Sequence, residues 1–199
     1  MIWMMAALVD VSAASVAVQG FDALFRAPMQ TPLKGRCALV TGASSGIGKA
    51  TACMLAQHGA DLIVVARREE RLLELKAEVE RRGLGSVEVV VGDLTADDVY
   101  AKLAACGAYQ RADILINNAG LARGRSEVGD ASLSDWRAML EANCVAAFRI
   151  INEHLPHMIE RGAGHIVTIG SVAGIEPYEG GSVYAASKHA VQCDEIASR

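Results

Sequence analysis

Apolar residues recur along this chain in two alternating rhythms, short continuous runs and longer stretches spaced three or four apart. The runs Cys37–Val40, Leu62–Ala66, Val87–Val91, Asp113–Ile116 and Ile166–Ile169 have the length and bounding turns of buried strands. Between them the spacing is helical. Ile47, Ala50, Thr51, Met54 and Leu55 form one such face, and Leu72, Leu73, Leu75 and Val79 a second, within a charged segment from Glu69 to Arg82 that Gly83 stops. A longer set, Leu133, Trp136, Met139, Leu140, Cys144, Phe148 and Ile151, predicts one helix from Ser132 to Ile159, capped by Ser132 or Ser134 and bent before Pro156. Strand and helix alternating in this way predict an α/β fold, a parallel sheet covered by helices on both faces.

The composition fits that picture and narrows the function. With 199 residues, 52% of them hydrophobic, the chain suits one domain with a substantial core. A formal net charge of −4 leaves no basic footprint, so no nucleic-acid partner is expected. The cysteines Cys37, Cys53, Cys106, Cys144 and Cys193 are dispersed, with no paired spacing, and read as reduced thiols with no metal site. Residues 1–34 form a leader of uncertain structure. Ile2–Val9 is apolar, but Asp10, Asp22 and Arg26 keep any stretch short of the roughly 18 apolar residues of a membrane span. It lacks the positive start of a secretory signal, and a lone arginine argues against a mitochondrial one. The expectation is a loosely docked leader on a cytoplasmic protein, with organellar targeting and a membrane-surface or partner-binding helix left open.

Candidate chemistry begins after the first strand. Thr41-Gly42-Ala43-Ser44-Ser45-Gly46-Ile47-Gly48 links strand to helix through a turn where glycine lets the backbone approach a ligand. The opening helix offers unpaired N–H groups and a positive dipole end to an anion. A pyrophosphate suits that place, although a plain tight turn would look similar. The second strand ends in Arg67-Arg68 with no acid. In dinucleotide folds an acid there bonds the ribose of NAD, whereas arginine accommodates the 2′-phosphate of NADP. Arg67 is the first candidate reader of that phosphate and Arg68 the second; alternatively both are the solvated first turn of the next helix.

The octapeptide resembles the TGxxxGxG fingerprint of the short-chain dehydrogenase/reductase family, and further motifs agree with it in order. Asn117-Asn118-Ala119-Gly120 is similar to the family's NNAG. The resemblance implies a Rossmann-type doubly wound sheet in three layers, NADP as cofactor, and a nucleotide site built from Gly42, Ser44, Ser45, Gly46, Ile47, Gly48, Arg67, Arg68, Asp93, Leu94, Asn118, Ala119, Gly120, Tyr184 and Lys188. It implies that Asp93 meets the adenine amino group, while the residues alone allow Asp93 to cap a helix starting near Thr95. Asn143 is implied to organise a proton-relay water; the plain alternative is an interior amide bonded to backbone.

Ser171 follows the fifth strand, where open α/β sheets place their ligand chemistry. Tyr184 and Lys188, in Tyr184-Ala185-Ala186-Ser187-Lys188, lie one helical turn apart on one face. A tyrosine that exchanges a proton near neutrality needs about 4 kcal/mol of preferential phenolate stabilisation, and a neighbouring ammonium has the right sign. The resemblance therefore implies a catalytic set of Asn143, Ser171, Tyr184 and Lys188, transferring hydride between NADP(H) and a small-molecule hydroxy or carbonyl substrate. The segment Gly174–Val183 is similar to that of the NADP-dependent 3-hydroxy acid or serine dehydrogenase branch. Relatives in this family continue past Val191 with a sixth strand, a Pro-Gly turn, a substrate-covering loop and a seventh strand. The expected domain, residues 35–199, thus lacks the last family strands, and its fifth strand has an open edge. Homo-oligomerisation is expected if the full family fold forms. A non-catalytic nucleotide-binding or subunit-pairing protein is the alternative reading.

Overall fold

A computed structural model describes residues 31–197 of the chain. Its strands are β1 (Cys37–Thr41), β2 (Asp61–Ala66), β3 (Val87–Val91), β4 (Ile114–Asn117) and β5 (His165–Thr168). All pair in parallel, in the order β3-β2-β1-β4-β5. The helices are α1 (Gly46–Gln57), α2 (Glu69–Arg81), α3 (Asp98–Ala105), α4 (Leu133–Leu140), α5 (Ala146–Arg161) and α6 (Ser182–Ala197). This is the expected doubly wound α/β sheet.

The two-residue period of the central strands sorts the core into two halves. Leu39 of β1 joins Ile63, Val65 and Leu115 on one face, packed with Val99 and Leu103 of α3 and Ile150 of α5. Ala38 and Val40 face the other way, among Leu62, Val64 and Ile116, under Ala52 and Cys53 of α1 and Leu72, Leu75 and Val79 of α2. Each full-sized aliphatic side chain buried in this way contributes roughly 1.5–3 kcal/mol, so a strand buried on both faces needs no polar alternation. Arg36 and the N–H of Cys37 both bond the Asp113 carboxylate, at 3.1 and 2.9 Å, and this ties the start of β1 to the approach to β4.

Several elements differ from the expectation in detail. The predicted helix from Ser132 to Ile159 is α4 and α5 joined by a π-helical turn, Glu141–Val145. It runs on through Pro156 to Arg161. Pro156 and Asn152, whose carbonyl loses its partner, both lie on the exposed side, where water can replace that bond. Ser132 is the cap position of α4, but its hydroxyl pairs with Ser134 Oγ at 2.7 Å rather than with the helix. The helix expected near Thr95 starts instead at Asp98. Residues 1–30 of the expected leader lie outside the described residues, and its last part is not detached: Leu33 donates its N–H to the His58 carbonyl at 3.0 Å and packs on the core.

The chain runs from β1 outward to β2 and β3, then returns to β4 on the other side of β1. The loops leaving β1 and β4 therefore diverge, and a crevice opens between them at the carboxyl edge. Beyond β4, β5 has a partner on one side only among the described residues, and Ile166, Val167 and Ile169 stay partly exposed. Among those residues no helix is long and apolar enough to cross a membrane.

Candidate active site at the carboxyl edge of the sheet

Thr41, the last residue of β1, joins the two diverging loops. Its fully buried hydroxyl donates to the Ile116 carbonyl at 3.3 Å and accepts the N–H groups of Asn118 and Ala119, both at 2.9 Å. Asn118 returns the contact through Nδ2, which reaches the carbonyls of Thr41 and Gly42 at 2.9 and 3.4 Å. Asn118 thus braces the glycine turn. Gly42 and Gly46 adopt left-handed φ angles of 66° and 55° that a side chain would strain. Gly48 is small for another reason: a Cβ there would press on Asn118 Nδ2 and lie 2.6 Å from the Gly42 carbonyl. The fingerprint glycines therefore shape the turn and seat α1 against β1. Ser45 precedes α1 without a side-chain cap, and Ile47 beside it is 61% exposed.

The two arginines after β2 part company. Both precede α2, whose first turn carries Glu69 and Glu70. Arg68 turns back across the glycine turn, with Nε and Nη2 on Ser44 Oγ at 3.2 and 2.9 Å and Nη2 on Ser45 Oγ at 2.6 Å. Arg67 instead meets Asp93 Oδ2 at 3.5 Å. Asp93 does not cap a helix; its Oδ1 accepts the Thr95 N–H and hydroxyl at 3.0 and 2.9 Å and closes a turn. Burial would raise the Asp93 carboxyl, but the Thr95 bonds and the Arg67 charge outweigh it and hold it below the usual carboxylate range. A cavity of about 330 Å³ lies between these groups and brings together Gly42, Ser44, Ser45, Arg67, Arg68, Asp93, Leu94, Ala119 and Gly120 from the expected nucleotide site. Thr95, Leu121, Arg123 and Glu141 line it as well, without having been singled out in the sequence. Gly46, Ile47, Gly48, Asn118, Tyr184 and Lys188 do not line it.

Of the expected catalytic residues, Ser171 follows β5, Tyr184 and Lys188 lie on α6, and Asn143 lies in the turn between α4 and α5. Ser171 Oγ accepts the N–H of Ala173 at 3.1 Å, which leaves its proton available. The short turn that follows is pressed onto α6, since a Cβ at Gly174 would stand 2.7 Å from the Lys188 carbonyl. Lys188 is buried and donates from Nζ to the Ile169 carbonyl at 2.8 Å. Burial lowers its ammonium from the ordinary range, with Cys144 acting weakly in the opposite direction. Asn143 occupies the π-helical turn, a distortion frequent at functional sites. Its side chain is committed to protein: Leu121 N–H donates to Oδ1 at 2.7 Å, and Nδ2 donates to Leu121 O at 2.8 Å and to Ser187 Oγ at 3.0 Å. Ser187, fully buried, passes this on to the Tyr184 carbonyl at 2.7 Å. Gly120 keeps the space between Asn143 and Lys188 open, because a Cβ there would lie 3.0 Å from Asn143 Oδ1 and 3.8 Å from Lys188 Nζ. Tyr184 is half-buried in the wall of a second cavity of about 140 Å³.

Thr41 and Ser187 are the structural discoveries, and both were visible within motifs as hydroxyl residues beside a glycine turn or between Tyr184 and Lys188. Burial pushes the Cys37 and Cys53 thiols up to about 12 and about 11. Among the described residues no group of three His, Cys, Asp or Glu could hold a metal ion.

A family model described as short chain dehydrogenase matches residues 36–193. The chain is 38% identical over 159 residues to the NADP-dependent 3-hydroxy acid dehydrogenase YdfG of Escherichia coli, a match covering 75% of this chain and 60% of that protein. It is 42% identical to sulfoacetaldehyde reductase 2 of Chromohalobacter salexigens, covering 77% and 62%. Among solved structures, serine dehydrogenase from Escherichia coli superposes with a TM-score of 0.76 at 38% identity, covering 82% of this chain and 74% of that one. The matched region thus spans about 60% of the length of these curated relatives.

Proposed function

The chain belongs to the short-chain dehydrogenase family, and from that premise we propose that it is an NADP(H)-dependent oxidoreductase interconverting a small hydroxy compound, with 3-hydroxy acids the favoured class, and its carbonyl. The observation that carries this reading is Arg68, held by Ser44 and Ser45 across the glycine turn at the mouth of the larger cavity. A guanidinium fixed there, with two hydroxyls beside it, suits a ribose 2′-phosphate. Arg68 therefore takes the role first given to Arg67, which with Asp93 and Leu94 borders the adenine. The turn from Gly42 to Gly48, with Ser44, Ser45, Gly46 and Ile47, receives the pyrophosphate at the start of α1. Asn118, Ala119 and Gly120 carry the cofactor toward Tyr184 and Lys188.

When bound, the nicotinamide supplies or accepts the hydride. Tyr184 exchanges the hydroxyl proton of the substrate as general acid or base, and Ser171 donates its proton to the substrate oxygen as charge develops there. Lys188 spends one N–H on Ile169, which leaves two for the ribose and the tyrosine. Asn143, the proposed organiser of the relay water, holds Leu121 and, through Ser187, the turn of α6 that bears Tyr184, and Gly120 places no Cβ between it and Lys188 Nζ. The exposed apolar residues Leu133, Leu140, Val145 and Phe148 along α4, the π-helical turn and α5 support a homo-oligomer. Ile166, Val167 and Ile169, partly exposed beside the edge that β5 forms among the described residues, favour a second reading, a nucleotide-binding or subunit-pairing protein.

A thermal melt with NADPH and NADH tests the proposal. At a hundredfold excess over Kd a nucleotide bound only by the folded state adds about 2.7 kcal/mol, or about 5–10 °C for a chain of this size. NADPH should deliver that shift, NADH much less, and Arg68→Ala should erase the difference. Equal shifts would remove the 2′-phosphate assignment, and no shift with either nucleotide would remove the oxidoreductase reading. A shift without turnover of any small hydroxy acid would favour the second reading.

A further inference from the structure

Cations far apart in the sequence come together at the amino edge of the sheet, opposite the candidate active site. Lys34 and Arg36 precede β1, Arg111 shortly precedes β4, Arg161 ends α5 and His165 opens β5, all of them exposed. The Asp113 N–H donates to the Cys37 carbonyl at 2.7 Å and the His165 N–H to the Asp113 carbonyl at 2.8 Å, so the starts of these three neighbouring strands fall within about 10 Å. The carboxylates nearby do not cancel the cations. Asp113 is occupied by Arg36 and the Cys37 N–H, and Asp61, opposite Cys37 on β2, accepts the Ser86 N–H and hydroxyl. Glu160, next to Arg161, projects about 100° away round the helix. Arg161 spends its guanidinium on the carbonyls of Gln110 and Ala112, and among the described residues no carboxylate pairs with Lys34 or Arg111. The chain's net charge of −4 does not decide what this edge attracts, because salt screens charges more than about 8–10 Å away.

The first 30 residues join the domain at the same edge. Leu33 donates its N–H to the His58 carbonyl, and a Cβ at Gly59 would press on Thr31. That part of the sequence has Asp10, Asp22 and Arg26 as its only charged side chains and opens with the apolar run Ile2–Val9. At about 3.3 Å per extended residue the run can reach any surface that the edge touches. Nucleic acid or an acidic protein would satisfy the cations alone; a bilayer also offers an apolar phase to Ile2, Trp3, Met4, Met5 and Leu8. A short apolar run and a basic patch each hold a membrane weakly, and together they hold it stably. We propose that the amino edge of the sheet seats on an anionic lipid surface, with Lys34, Arg111 and Arg161 against the phosphates and Ile2–Val9 in the acyl boundary. The carboxyl edge, with both cavities, then faces away from the bilayer and stays open to ligands. This seating is independent of the dehydrogenase reading.

The full chain is sedimented with vesicles of phosphatidylcholine, with and without one-third phosphatidylglycerol. The anionic vesicles should bind it at least about tenfold more tightly than the neutral ones, and about 1 M salt should remove that excess. Lys34→Gln combined with Arg111→Gln should lose about tenfold or more of the affinity for anionic vesicles and leave neutral binding unchanged. Lys34→Arg combined with Arg111→Lys, which keeps the charge, should bind as the parent does, and circular dichroism melts show that each variant is folded. Brominated acyl chains should quench tryptophan emission in the parent but not in Trp3→Phe, whose remaining Trp136 lies in the wall of the smaller cavity, away from the lipid. Equal affinity for neutral and anionic vesicles, parent-like binding by the neutral double variant, or quenching that persists in Trp3→Phe would overturn the inference. Failure to bind either vesicle would overturn it too, and capture of poly-L-glutamate or duplex DNA instead would assign the edge to an acidic protein or to nucleic acid.

Discussion

Replacing Thr41 by valine keeps the shape of a fully buried side chain and removes one oxygen. That oxygen accepts the N–H groups of Asn118 and Ala119 and donates to Ile116. Valine leaves both N–H groups without their acceptor. Each costs about 1–3 kcal/mol when buried, and because these two are only partly buried the low end applies, for a total of about 2–3 kcal/mol. At about 2–4 °C per kcal/mol, the melting temperature should fall by about 5–10 °C. Thr41→Ser keeps the hydroxyl and loses one methyl, about 1 kcal/mol, so it should fall much less. Circular dichroism melts of the three proteins, alone and with NADPH, measure both effects; the valine variant should also respond less to NADPH, because the β1 and β4 loops that flank the larger cavity are no longer joined. A valine variant as stable as the parent, or a serine variant worse than valine, would refute the idea that this hydroxyl holds the crevice together.

Other outcomes follow from single groups. Gly48→Ala places a Cβ against Asn118 Nδ2 and the Gly42 carbonyl, so it should destabilise the protein by about 1–3 kcal/mol and blunt the NADPH shift, as read by the same melts. Burial lowers the pKa of His154, whose Nε2 bonds the Ala112 carbonyl at 3.0 Å and whose buried Nδ1 has no partner among the described residues. The folded state therefore resists protonation: the contribution is intact above the unfolded value near 6.5 and is lost as pH falls below it. Urea titrations between pH 5 and 8 should show that decline, and His154→Gln should flatten it; an unchanged slope would exclude His154 as its source. Ser187→Ala breaks the link from Asn143 to Tyr184, so turnover should fall while the NADPH melting shift persists.

What the sequence disclosed depended on whether a residue acts through its local spacing or through distant partners. The strands and α2 were legible because burial on both faces and a charged amphipathic face leave periodic traces, as in Val87–Val91 and Leu72, Leu75 and Val79. The break between α4 and α5 was not legible as such: the π-helical turn shifts the buried face, so that Met139 and Cys144 are buried five residues apart while Leu133, Leu140 and Phe148 of the expected face are exposed. The junction after β2 was legible as basic, but not which arginine serves it. That choice is made by Ser44 and Ser45, more than twenty residues earlier in the chain, and by Asp93 on the far side of β3. Thr41 and Ser187 escaped notice for the same reason, because a hydroxyl shows its importance only through its partners.

The same long-range bonding gives Lys188 of α6 two roles. Lys188, assigned to the chemistry, also bonds the carbonyl of Ile169 just beyond β5, an edge strand of the sheet among the described residues. Burial disfavours its charge, so that bond and its remaining partners must offset the cost. Removing Lys188 thus releases the end of β5, and with it Ser171, as well as depriving Tyr184 of a cation. Loss of activity in Lys188→Ala would therefore not by itself establish a catalytic lysine. Lys188→Met separates the two roles, since it keeps the packing and removes both the bond and the charge. If its melting temperature falls along with its activity, the lysine is anchoring β5; if the melting temperature holds and only turnover is lost, the ammonium acts on Tyr184 and the ribose.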